Sequence, residues 1–403
     1  MAPRRPERDV AAADLIARRK GEHLTLAAGR DVETRRRAGW DDVQLVHDAL
    51  PAVDAADVLL GTRFLGHELR LPLVISGMTG GHPRASEVND ILARAAEKAG
   101  VAIGVGSQRA ALRDPRLAPT YAIVRERAPT ALVIANVGVS QLVAQDEGTP
   151  LDATDIAAVV AMIRADAIAL HLNYLEESVQ PEGQTRARGA AAAIRALVRR
   201  SPVPVIAKET GAGISRVVAQ RLRALGVKAI DVGGVGGTSF AAVEALRAGE
   251  RSDARREQLG EHFRDWGIPT AVSVVGARAA RLPLIATGGV RSGLDAAKAL
   301  ALGAALVGVG RPLLQRALEG QAAVDEWIAR FALELRTAIF LSGGSTVADL
   351  RAAPLVVEGD TAAWLAQLRW NARAAAPPGR RTSPPLGRRS ADAPAAAEGA
   401  SRR

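Results

Sequence analysis

The sequence predicts a single α/β domain, a closed (β/α)8 barrel of the TIM type. Three observations predict it. Eight short apolar runs recur along the chain without polar alternation, which marks strands buried on both faces of a parallel sheet. Helical stretches separate them, and eight such units in roughly 250 residues are what a barrel needs. Each run ends in polar or glycine-rich residues, as strand ends that converge on one mouth would.

The first run is 71–77, LPLVISG, followed by a helical stretch from Glu87 to Ala99 closed by Gly100. Val101 to Gly106 is the second strand, with a helical stretch from Leu117 to Arg127. Leu132 to Val137 is the third, with a helix from Ile156 to Arg164. Ala167 to Leu172 is the fourth, with a helix from Ala190 to Arg200. Val203 to Lys208 is the fifth, with a helix from Arg216 to Leu225. Val227 to Val232 is the sixth. A longer irregular and helical stretch leads to the seventh, Leu284 to Thr287, then a helix from Leu294 to Leu302 and the eighth strand, Ala305 to Val309. An open doubly wound sheet is the alternative, since counting strands does not establish closure.

The flanks are assigned from composition. Residues 1–70 are read as a helical N-terminal extension; Ala11 to Lys20 has a helical pattern with a basic end. Residues 71–371 are read as the barrel with C-terminal helices. Residues 372–403 are read as a disordered Ala/Pro/Arg-rich tail. That tail carries seven arginines against Asp392 and Glu398, so half of the chain's net charge of +10 lies there. The charge is therefore a poor argument for nucleic-acid binding. Apolar residues make up 48% of the 403, enough for a sizeable core, and aromatics only 3%. There is no cysteine, which excludes disulfides and thiolate chemistry. No apolar run approaches the ~20 residues of a membrane span, and Met1 to Val10 lacks the apolar core of a secretory signal, so a cytoplasmic location is expected.

The strand ends carry the chemistry. The fourth ends in His171-Leu172-Asn173-Tyr174-Leu175-Glu176-Glu177, followed by Gln180-Pro181-Glu182-Gly183. Imidazole, amide and carboxylates this close suit metal, phosphate or proton transfer. Gly288-Gly289-Val290-Arg291 and Gly310-Arg311 follow the last two strands, where barrels often bind phosphate. Lys208 ends the fifth strand. Its neighbour Glu209 points to the opposite face, so the two side chains should not pair. A lysine there can reach the N1/C2=O edge of a reduced flavin. Thr79, Ser107, Asn136 and Thr238 are neutral hydrogen-bonding groups for the same ring.

In order along the chain, RRKGEH, SGMTGG, GSQR, HLNYLEE with QPEG, KETGAGIS, GGVGGTSF and TGGVRSG resemble type 2 isopentenyl diphosphate isomerase, from about Arg19 to about Gly343. The resemblance implies FMN, active when reduced, Mg²⁺, and NADPH as reductant. It implies isomerisation of isopentenyl to dimethylallyl diphosphate, with the flavin N5 as the main acid and base. FMN would be held by Met78, Thr79, Gly80, Ser107, Asn136, Lys208, Thr238, Gly289, Val290, Arg291, Gly310 and Arg311. The diphosphate substrate would meet Arg19, Lys20, Ser107, Gln108, Arg109, His171, Asn173 and Glu176. Glu177 would bind Mg²⁺. His171 and Glu176 would be the nearest side-chain proton carriers. A homo-oligomer, tetramer or octamer, is also implied, with no nucleic-acid or membrane partner.

Two departures from the family pattern stand out. Glu176 takes a place where the family commonly has Gln. Gln184 to Arg188 follows QPEG where an acidic Gly-Asp start is common. Two rival readings are an FMN-dependent barrel oxidoreductase and a relative acting on another prenyl diphosphate. Oxidation of 2-hydroxy acids wants a His and an Arg near the end of strand six, and Gly233 to Phe240 holds neither.

Overall fold

The computed structural model describes residues 20–146 and 149–374. Eight parallel strands close into a barrel. They are β1 (Leu73–Ile75), β2 (Ala102–Gly104), β3 (Val133–Gly138), β4 (Ala167–Leu172), β5 (Val205–Glu209), β6 (Ala229–Asp231), β7 (Leu284–Thr287) and β8 (Leu306–Val309). Each lies beside its sequence neighbours, and β8 pairs with β1 to close the ring. The helices 190–200 and 216–225 match the sequence expectation at both ends.

Strand periodicity divides each run between two cores. Leu73, Ile75, Val133, Ala135, Ile168, Leu170, Val205, Ala207 and Val307 face the surrounding helices. Val74, Ala102, Ile134, Ala169, Ile206, Ala229, Ile285 and Leu306 fill the barrel interior. Side chains two residues apart share a face. The next inward position on each strand is therefore Ser76, Gly104, Asn136, His171, Lys208, Asp231, Thr287 and Gly308. This one step turns an apolar layer into a polar one, and it is the floor of the site.

The lower end of the barrel is sealed by an element that the sequence does not announce. Thr62–Phe64 and His67–Leu69 form an antiparallel hairpin, joined by Leu65 and Gly66, both with positive φ (47° and 91°). Phe64 and Leu69 pack into the interior layer. The extension was expected to be helical, but among its described residues Ala55–Asp57 form a short 3-10 turn and only 20–29 an α-helix. That helix also runs through Gly21 rather than ending at Lys20, because Leu24 and Leu26 are buried against the body, and burial outweighs a glycine's poor helix propensity. Val43–Leu45 pairs antiparallel with Leu355–Val357, tying the two flanks together. Arg19 lies outside the described residues; of the expected tail, residues 372–374 end the helix Gly359–Ala374 and residues 375–403 lie outside the described residues. No helix of the described residues is long and apolar enough to cross a membrane.

Candidate active site

The polar layer opens into a cleft of about 1730 Å³, counted out to its open mouth. All eight strand ends and the helix at residues 20–29 contribute to it or adjoin it. Met78, Thr79, Gly80, Ser107, Asn136, Lys208, Thr238, Gly289, Val290, Arg291, Gly310 and Arg311 all line it, and so do Lys20, His171, Asn173, Glu176 and Glu177.

The floor is glycine-lined for a steric reason. A Cβ on Gly77 would lie 2.2 Å from the Val105 carbonyl oxygen. In the β7 loop, Gly288 and Gly289 have φ of 121° and 68°, which side chains rarely adopt. The backbone is therefore bare where a flat ligand would lie. Beside it, the hydroxyls of Ser76, Ser107 and Thr287 are buried and have no hydrogen-bond partner among the described residues. Buried polar groups are nearly always paired, so three orphaned hydroxyls around one cleft fit a ligand that carries its own heteroatoms.

At one end, Arg291 Nη2 and Arg311 Nη1 reach the two oxygens of Glu33 at 2.7 and 3.0 Å. Arg291 also donates to the carbonyls of Gly289 and Gly236, and Arg311 to those of Ala27 and Arg30. Two forked cations converge there, as anion recognition requires. Glu33 itself was not singled out by the sequence reading.

Asn136 and His171 are locked together. Asn136 Nδ2 donates to the Val105 carbonyl at 3.0 Å, which turns Oδ1 toward His171 Nδ1 at 2.8 Å. An amide oxygen only accepts, so Nδ1 carries a proton. Lys208 Nζ sits 3.2 Å from Asp231 Oδ2 and donates to the Glu209 carbonyl at 2.9 Å. As strand alternation requires, the Glu209 carboxylate faces the other way. It accepts from the backbone N–H groups of residues 210–213. Burial pushes its carboxyl up to about 7, against the pull of those N–H groups and of Lys208.

The end of β4 presents its carboxylates through Asn173, whose Nδ2 donates to Glu176 Oε2 (3.0 Å) and to Glu177 Oε1 (3.2 Å). Glu177 is buried and also accepts from Ser140, Gln180 Nε2 and the Gln184 backbone. All four donors are neutral, and no ion pair among the described residues reaches it. A buried carboxylate surrounded by neutral donors fits a hard cation, and Oε1, with the two longer bonds, is the oxygen best placed to coordinate one. One ligand atom each of His23, Glu176 and Glu244 lie within 4.8 Å of one another. His23 Nε2 meets Glu244 Oε1 at 2.7 Å, and Arg247 holds the other oxygen of Glu244.

Lys20 stands opposite, donating to the carbonyls of Gly80 (2.9 Å) and Ser107 (2.5 Å) and to the Tyr121 hydroxyl (2.6 Å). Burial raises the Tyr121 hydroxyl far above its ordinary value, so it stays neutral beside this cation.

Two expected substrate residues lie elsewhere. Gln108 is fully buried; its Nε2 donates to the Val159 carbonyl and its Oε1 accepts from the Asn136 backbone. It braces β3 from behind and does not line the cleft. Arg109 opens the helix Arg109–Arg113, and its Nη1 reaches Gln184 Oε1 at 2.9 Å. It anchors the loop after QPEG, the segment that departs from the family pattern.

Arg247, Glu244 and Asp231 were also missed. Arg247 is buried and pairs with Glu22, Glu182 and Glu244. Burial lowers its pKa, but the three carboxylates outweigh this and raise it. The signal was a charged i, i+3 pair on an alanine-rich helix, Phe240–Glu250.

The FMN-dependent dehydrogenase family matches residues 153–357. An isopentenyl-diphosphate delta-isomerase of Methanothermobacter thermautotrophicus is 47% identical over 354 residues, covering 88% of this chain and 97% of its own. The chain belongs to the isopentenyl-diphosphate delta-isomerase family. The FMN-dependent match places it with the type 2 enzymes of that family. A second isomerase, from Halobacterium salinarum, is 44% identical over 351 residues, covering 87% of this chain and 96% of its own. Among solved structures, a (putative) lactate oxidase of Pediococcus acidilactici aligns with a TM-score of 0.62 at 17% identity, over 86% of this chain and 94% of that one. A mandelate oxidase mutant aligns at 0.54 and 20%, over 86% and 100%. These two likenesses concern the fold alone.

Proposed function

We propose that this isomerase interconverts isopentenyl diphosphate and dimethylallyl diphosphate using reduced FMN, and that Glu177 would hold a Mg²⁺ ion that serves the diphosphate. The observation that carries the reading is the facing of Lys20 and His171 with Glu177 across a glycine floor fringed by orphaned hydroxyls. FMN would lie against Met78, Thr79, Gly80, Asn136, Thr238 and the 289–291 loop. Lys208 would meet its N1/C2=O edge, and Arg291, Gly310 and Arg311 its phosphate. When bound and reduced, it supplies an electron-rich ring face and a nitrogen able to carry a proton.

The protein's own residues do the rest. Lys20 and Ser107 take phosphate oxygens as donors, and His171 does so through Nε2 when protonated. Arg109 acts one step back, by fixing the loop at Gln184 over the cleft. Asn173 aims both carboxylates. Glu177 would hold Mg²⁺, and the cation would neutralise charge that otherwise repels the diphosphate. Glu176, beside His23 and Glu244, holds a proton near the reacting carbons. The reaction moves a double bond with no net redox, so the reduced flavin would not be consumed, and NADPH or a similar donor would supply its electrons. A homo-oligomer is part of this proposal.

The test supplies purified protein with FMN, dithionite or NADPH, Mg²⁺ and isopentenyl diphosphate. Dimethylallyl diphosphate should form only with reduced flavin, and chelation of Mg²⁺ should stop it. A flavin-loaded protein that leaves isopentenyl diphosphate untouched would instead favour another prenyl diphosphate. In the same assay Glu176→Gln should lower kcat at least tenfold with KM little changed, since Gln keeps the bond from Asn173 but holds no titratable proton. An unchanged kcat removes Glu176 from proton transfer.

A further inference from the structure

The flavin reading leaves one buried charge without a task. Asp231 ends β6 and is 4% exposed. Its Oδ1 accepts from the Gly233 N–H at 3.2 Å, and its Oδ2 lies 3.2 Å from Lys208 Nζ. The two residues are register partners across the β5–β6 ladder, and His171 is the partner of Lys208 on the other side. Lys208 lines both the cleft and a small void beneath it, whereas Asp231 lines only the void. The void is walled by Val74, Ile134, Ala169, Ile206 and Ile285. An acid of the floor layer thus lines the void and not the cleft, among mostly apolar walls where charges act strongly.

We propose that Asp231 is a positioning residue for Lys208, and that its charge sets how strongly the site favours reduced over oxidised flavin. The inference rests on the reading that Lys208 meets the flavin N1/C2=O edge. Reduction places negative charge on that edge, which the lysine stabilises. The carboxylate beneath opposes it: it draws Lys208 Nζ down toward the void and offsets its charge. With both present the site holds the two redox states more evenly than lysine alone would.

The test is the reduction potential of bound FMN, measured by dye-coupled reduction of the FMN-loaded protein. Asp231→Asn preserves shape and the acceptor for Gly233 while deleting the charge. It should favour reduced over oxidised FMN by about tenfold or more, a positive shift of ~30 mV for a two-electron couple. Lys208→Met should move the potential in the opposite direction. A pair that only braces the barrel would lower stability in both variants and leave the potential alone; that result, or a negative shift in Asp231→Asn, overturns the proposal. If Asp231→Asn fails to fold, Asp231→Ser, smaller and still able to accept from Gly233, makes the same measurement. If the unaltered protein takes up no FMN, the flavin reading itself fails, which is a different outcome from a flavin whose potential ignores Asp231.

Discussion

Arg247 is a buried arginine on which several segments of the fold depend. Its side chain is 1% accessible and spans three segments. Nη1 holds Glu244, Nη2 reaches Glu182 at 2.9 Å, and Nε reaches Glu22 at 3.1 Å. Glu22 lies on the helix that carries Lys20 and His23, and Glu182 lies in the QPEG loop. Arg247→Met keeps an unbranched apolar stem and removes the charge. Glu22 and Glu182 are about a quarter accessible and can turn to water, so each loses at most ~1 kcal/mol. Glu244 is fully enclosed, and a buried carboxylate left without its main partner costs ~3–5 kcal/mol. Its contact with His23 offsets part of this. We expect Arg247→Met to lose ~4 kcal/mol of unfolding free energy, read by urea titration of the FMN-loaded protein. Adding Glu244→Gln should restore at least half, because the stranded charge is gone. A loss below ~1 kcal/mol, or no recovery in the double variant, would refute the view that an unpaired buried charge dominates. KM for substrate should rise in Arg247→Met as the helix at 20–29 loosens.

Two further outcomes are expected. The Glu209 carboxyl is raised from its ordinary 4.5 to about 7 by burial, so folding favours its protonated form. Its contribution to stability is fully present below pH 4.5 and is lost as pH rises through 7. The loss amounts to ~3 kcal/mol; Glu209→Gln should flatten that part of the stability–pH profile, and an unflattened profile would place the titration elsewhere. Phe64 is 1% exposed at the barrel bottom; Phe64→Ala should cost ~3–5 kcal/mol by calorimetry while leaving FMN affinity unchanged, since the plug lies at the end opposite the cleft.

The barrel was legible because its strands are buried on both faces and so are written as apolar runs, a signal carried by each segment alone. The hairpin that seals it was not legible. Its turn uses Leu65 at positive φ, where turns usually announce themselves with Gly, Asn or Asp, and its short strands have meaning only against the barrel interior. The same division holds in the site. Runs such as His171 to Glu177, Gly288 to Arg291 and Lys208 are contiguous, so spacing alone singled them out. Gln108 and Arg109 share the motif of Ser107, yet a helix start at Arg109 turns them away from the cleft.

By itself, then, the sequence determined the fold class, the family and the polar strand ends, because those depend on periodicity and on short local motifs. Tertiary structure alone decided which charges meet. Asp231 faces Lys208 only because β5 and β6 lie in register. Arg247 gathers Glu22, Glu182 and Glu244 from segments far apart in the chain. Glu33 sits between Arg291 and Arg311 because the N-terminal segment folds across the last two strand ends. Electrostatic energy depends on separation in space, and chain order does not encode that separation until the barrel closes.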